Sequence, residues 1–199
     1  MKTKGMKYIY TIIIGLSLYI LFCFKENIHF AGILAFFLTI GFFHLGDKVF
    51  KINYKRKHYA ILVFMSTFGL LFSPLYNMYI HYDKILHLTF PFLGCILIFY
   101  IVNKTKLDLK TKLILTFTTM ITLITFSEIV EYYLDQLFNL HLQGVFEGDL
   151  VGLMKTSSGE LITIQSPLSD TITDLSLGVL GSLIFVVSKL WIFKNNKKI

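Results

Sequence analysis

Charge is what this sequence of 199 residues has least of: Asp, Glu, Lys and Arg make up 16% of it, against 55% hydrophobic residues. A soluble domain of this length carries about 25% charged residues to cover its surface. This chain cannot cover itself with polar groups, and its composition is that of an integral membrane protein. Cysteine is also scarce. Cys23 and Cys95 both fall inside apolar runs and neither belongs to a CxxC or other ligand spacing, so packed thiols are expected, not a disulfide or a metal pair. No internal repeat stands out. GDKVF at 46–50 echoes YDKIL at 82–86, but the two copies fall on opposite sides of the membrane, against the pattern of an inverted-repeat transporter. HExxH, a serine-centred GxSG and the DxxDG of the CDP-alcohol phosphotransferases are all missing.

What is present is a series of long apolar runs. A helix crosses a bilayer in roughly 20 apolar residues, and six stretches qualify: 8–24, 28–46, 59–80, 84–102, 113–138 and 171–193. The first follows Lys2, Lys4 and Lys7 as a signal peptide would, but it lacks a small-residue cleavage site and reads as a retained anchor. The expected fold is all-α: a polytopic six-span bundle forming one integral membrane domain over 1–199.

The basic residues sit on alternate connections. The N-terminal tail, residues 47–58, residues 103–112 and the C-terminal tail hold 15 of the 19 Lys and Arg, which the positive-inside rule places in the cytoplasm together with both termini. Ten of the twelve acids lie on or near the other connections. The net charge of +7 therefore conceals a basic inside and an acidic outside. Topology and anionic lipid account for the basic side without a nucleic-acid partner; membrane lipids are the expected partners.

One long connection, 139–169, joins the last two spans on the outer side. VGLMKTSSGELITIQ within it alternates apolar residues around Ser157, Ser158 and Gly159, which predicts a small hairpin. A connection of this length is usually functional or disordered, and its Leu, Ile and Val argue against disorder. A lid over the outer helix ends is the expectation.

The chemistry concentrates at those ends. Residues 126–138 read FSEIVEYYLDQLF, and offsets of three and seven put Glu128, Glu131 and Asp135 on one helical face. Asp83 and His87 are four apart at the start of the fourth span, as are Asp170 and Asp174 at the start of the sixth. Asp83 and Asp170 also suit the plainer role of helix N-caps, and His87 that of an interhelical hydrogen-bonding residue. Glu128 and Glu131 resist such explanations, because carboxylates at membrane depth are functional candidates by default. So much negative charge requires protonation or a cation, and facing helices with ExxE and DxxxD or DxxxH spacing can surround one or two ions. Mostly oxygen ligands favour magnesium, manganese, calcium or iron, with zinc suited if His81 joins His87.

YDKILHLTFPFLG, FSEIVEYYLD and SDTITDLSLGVLG together resemble the pattern of a bacterial inner-membrane family of the YjdF type and, distantly, VanZ-like membrane proteins. The resemblance covers roughly residues 82–183 and runs through Asp83, Lys84, His87, Glu128, Glu131, Asp170 and Asp174. It departs at Thr171, where YjdF-type members often carry glutamine. It implies a polytopic membrane fold and, through the VanZ-like members, a role at the cell envelope.

The leading expectation is a divalent-metal site at the extracytoplasmic face, in a hydrolase or transferase acting on a lipid or lipid-linked headgroup. His87, Glu128, Glu131, Asp170 and Asp174 are the candidate ligands. Asp83 and Glu128 are the candidate catalytic groups, with Asp83 orienting His87 or acting as base, and Lys84 and Asp135 are the candidate substrate contacts. The alternatives are a proton or cation relay in a transporter and a non-catalytic envelope factor.

Overall fold

Hydrocarbon offers amides no partner, so a spanning segment must satisfy its own backbone, and the apolar runs of this chain do so as helices. The computed structural model describes residues 30–72, 75, 76, 79, 81–138, 143, 145, 146 and 163–196. Among these, four helices are long and apolar enough to cross a membrane: Gly32–Val49, Tyr82–Val102, Leu109–Leu137 and Pro167–Asn196. The expected first span at 8–24, with Cys23, lies outside the described residues. The chain divides into two units, Met1–Pro74 and Leu75–Ile199.

In the first unit α1 (Phe30–Val49) is followed by α2 (Arg56–Ser66), which continues into a π-helical turn at Thr67–Leu71. Phe36 and Leu71 form the buried contact between α1 and that turn. The connection is tight. Lys51 and Asn53 both take positive φ (51° and 56°), and Asp47 fixes the reversal by accepting the Tyr54 amide at 3.0 Å and the Tyr59 hydroxyl at 2.7 Å. Of the third expected span, 59–80, the described residues show the α-helix through Ser66 and the π-helical turn at Thr67–Leu71; residues 73, 74, 77, 78 and 80 lie outside the described residues.

The second unit packs three helices: α3 (Tyr82–Val102), α4 (Leu109–Phe138) and α5 (Pro167–Asn196). The last two begin four residues earlier than hydropathy suggests, because polar caps start them. Asp108 accepts the Thr111 amide at 2.6 Å and the Thr111 hydroxyl at 3.1 Å, bonds that hold its carboxyl below the usual range. Ser166 accepts the Ser169 amide at 3.3 Å, and Pro167 supplies the preset φ favoured at a first helical position. Asp170 is therefore not the cap of α5.

Cys95, Leu113, Met120, Ile124 and Phe185 form the apolar core of this unit. On α4 the inward face runs through Ile124, Glu128 and Glu131, while Phe126, Tyr133 and Leu137 stand exposed on the outer face, where lipid meets them. Two short strands, β1 (Val145–Phe146) and β2 (Thr163–Gln165), pair antiparallel. The predicted hairpin thus has its second strand where the ITIQ run placed it. Its partner lies nearer α4 than the run at 151–154, which, with most of the expected lid, lies outside the described residues.

Small residues set how closely the helices approach, as in membrane bundles generally. A Cβ built on Gly181 would lie 2.1 Å from the Leu88 carbonyl oxygen, and one on Gly178 would lie 2.8 Å from Ile124 Cδ1. Gly181→Ala should therefore force α5 away from α3 and cost about 1–3 kcal/mol, read as a lower unfolding temperature in detergent. Gly41→Ala, whose Cβ meets nothing within 4 Å, should not lower it.

Candidate functional site

Three helix ends meet at one end of the second unit: the start of α3, the last third of α4 and the start of α5. α3 and α4 are joined by a short turn at the opposite end, so Tyr82 and Phe138 lie at the same end of the bundle. α5 then begins beside them after the long connection. Asp83, Lys84 and His87 come from α3, Glu128, Glu131 and Asp135 from α4, and Asp170 and Asp174 from α5.

Lys84 is the centre of one network. Its ammonium donates to Asp174 Oδ1 at 2.8 Å and Oδ2 at 2.9 Å, to Asp83 Oδ2 at 3.0 Å, and to Asp170 Oδ1. Asp170 and Asp174 are buried. The single lysine thus answers three carboxylates and joins α3 to α5. Its donors are engaged by these carboxylates, and it forms the ionic centre of this end of the bundle.

His87 links this network to the acids of α4. Its Nε2 lies 3.3 Å from Asp83 Oδ1, and its Nδ1 lies 3.7 Å from Glu128 Oε1. Pro91, inside α3, has no N–H to give the His87 carbonyl one turn back. Glu128 is only 4% exposed, and among the described residues its Oε1 has no hydrogen-bond partner. Among the described residues two groups could hold a cation: Asp83, His87 and Asp174, and His87, Glu128 and Glu131, each with one ligand atom per residue within 4.8 Å of the others. Asp170 belongs to neither group.

Asp135 stands apart from these. Its Oδ2 accepts the Gln143 amide at 2.8 Å. The Gln143 side chain, itself buried, donates to the Glu128 carbonyl at 3.3 Å and to the Thr171 hydroxyl at 3.0 Å. Gln143 therefore fastens the chain beyond α4 onto both α4 and α5 directly over Glu128. Sequence reasoning missed it because nothing in HLQGVFEGDL marks one polar residue of a connection as buried. Tyr76 was missed as well; its ring sits edge-on to Tyr82, 5.1 Å between centroids, at the start of α3.

Removing the lysine should show what it holds. Lys84→Met leaves Asp170 and Asp174 buried without their cation and should destabilise the protein by about 3–5 kcal/mol, measured by unfolding in detergent. Adding Asp170→Asn and Asp174→Asn to that variant should restore part of the loss.

A family model for predicted membrane proteins, DUF2238, matches residues 6–195. No curated protein and no solved structure matches the chain. The family match takes in all three helices of the acidic site, and the chain belongs to the DUF2238 family of predicted membrane proteins.

Proposed function

We propose that the protein is a divalent-metal-dependent membrane enzyme, a hydrolase or transferase acting on a lipid or lipid-linked envelope substrate at the acidic end of its helices. The observation that carries this reading is the buried Oε1 of Glu128, which faces His87 Nδ1 at 3.7 Å and has no hydrogen-bond donor among the described residues. An unanswered carboxylate oxygen in a low-dielectric site is costly. A cation bound there removes that cost. Three protein ligands would leave coordination positions for water and substrate, the pattern of catalytic metal sites. The ion would supply Lewis acidity toward a phosphoryl or carbonyl oxygen, while Asp83 orients His87 or takes a proton.

In this reading the chain has six spans with both termini in the cytoplasm, and the site faces outward in a bacterial inner membrane. The distribution of charge supports that orientation: Lys104, Lys106, Lys110 and Lys112 lie at the end of the second unit opposite the acids, as the positive-inside rule requires. The YjdF-type and VanZ-like resemblance of residues 82–183 supports an envelope setting. A relay through this unit is disfavoured, because the apolar core of Leu113, Met120 and Ile124 lies between its acidic and basic ends.

Elemental analysis of the detergent-purified protein should find stoichiometric divalent metal that is lost in Glu128→Gln. Incubation with bacterial lipid extract should then give a chelator-sensitive change in headgroup composition. A wild-type protein that binds no metal and unfolds identically with and without chelator would rule out the reading.

A further inference from the structure

Asp83, Lys84, His87, Glu128, Glu131, Asp170 and Asp174 crowd the acidic end, yet their bonds divide them unequally. Asp170 and both oxygens of Asp174 are bound to Lys84. Asp83 is bound on both sides, Oδ2 by Lys84 at 3.0 Å and Oδ1 by His87 Nε2 at 3.3 Å. Among the described residues the buried oxygen left without a hydrogen bond belongs to Glu128, and it faces the other nitrogen of the same imidazole.

That arrangement sets which nitrogen is free when the imidazole is neutral, the form in which histidine ligates a metal. A neutral histidine carries one N–H and one lone pair. A carboxylate at Nε2 selects the tautomer protonated there, because a carboxylate can only accept. The Nδ1 lone pair is then directed toward Glu128 Oε1, 3.7 Å away. This separation exceeds a hydrogen bond and is close to the roughly 3.0–3.6 Å between two ligands about 2.1 Å from a common metal. Metal-bound histidines commonly donate their other ring N–H to a carboxylate in this way.

We infer that α3 and α4 alone ligate the ion, through His87 Nδ1, Glu128 and Glu131, and that α5 acts on it indirectly along the chain Asp170 and Asp174, Lys84, Asp83, His87. The inference rests on the metal reading above. It assigns Asp83, Asp170 and Asp174 as positioning residues: the α5 acids hold Lys84, Lys84 holds Asp83, and Asp83 sets the tautomer of the ligand. The group formed by Asp83, His87 and Asp174 is then not a second ion site, since the Lys84 ammonium already occupies the acceptors that an ion would need.

Cobalt(II) is the probe. The full-length protein in detergent is stripped with chelator and titrated with cobalt, recording affinity, visible d–d bands and X-ray absorption at the metal edge. The wild type should bind one ion with a single imidazole in its shell. Glu131→Gln and His87→Ala should each alter the shell. Asp83→Asn should keep one bound ion and its shell while weakening affinity by about 10–100-fold, with the unfolding temperature of the metal-free protein unchanged. Asp174→Asn should likewise keep the shell. Lys84→Arg, which preserves the charge, carries the same expectation and serves if Asp174→Asn does not fold. An altered shell in Asp174→Asn or Lys84→Arg, or two ions per wild-type chain, would overturn the inference while leaving the metal reading intact. No cobalt bound by the wild type would overturn both.

Discussion

The Lys84 ammonium, set among Asp83, Asp170 and Asp174, is the interaction on which the rest of this end of the molecule depends. Two buried carboxylates on α5 are tolerable in a low-dielectric bundle only because a cation from α3 stands between them. The same contact brings α5 against α3, and the glycine at 181 lets their backbones meet where a side chain would hold them apart. Electrostatics and packing thus impose one geometry, and the position of His87 follows from it.

Viewed along the bundle, the second unit is graded. Sulfur, aliphatic and aromatic side chains fill the middle around Cys95, Met120 and Phe185. One turn beyond Ile124 the interior becomes ionic at Glu128, about 15 Å before the end of α4 at 1.5 Å per residue. The transition is abrupt because α4 keeps one inward face throughout: Ile124, Glu128 and Glu131 succeed one another on it, and only the side chain changes. Gln143 then closes over Glu128, bonding its backbone carbonyl on one helix and the Thr171 hydroxyl on the next. The site is therefore walled by apolar packing on one side and by a buried amide on the other, the setting in which a bound cation would hold its ligands most strongly.

Much of this was legible before any coordinates. A backbone in lipid has few options, so apolar runs specify helices, and the four long helices among the described residues lie within about four residues of where hydropathy placed them, α4 and α5 shifted at their starts by the caps Asp108 and Ser166. Charge alternation along the connections placed the acids of α3, α4 and α5 at one end. Helical periodicity put Glu128 and Glu131 on one face. The helix after Arg56 was less legible, since hydropathy does not register the π-helical turn at Thr67–Leu71. The hairpin was half legible, because alternation marks a strand without naming its partner.

The sequence by itself determined the class of the protein and the helix faces that carry its acids, because bilayer thickness and the 3.6-residue turn act on local pattern alone. Only the tertiary structure decided which acid answers which base. Asp170 and Asp174 look as suited to an ion as Glu128 and Glu131 when counted along the chain. Lys84 is adjacent to Asp83 in sequence yet bonds residues 86 and 90 positions away. That choice depends on the rotation of α5 against α3, fixed by a glycine contact, and no spacing within a single helix encodes it.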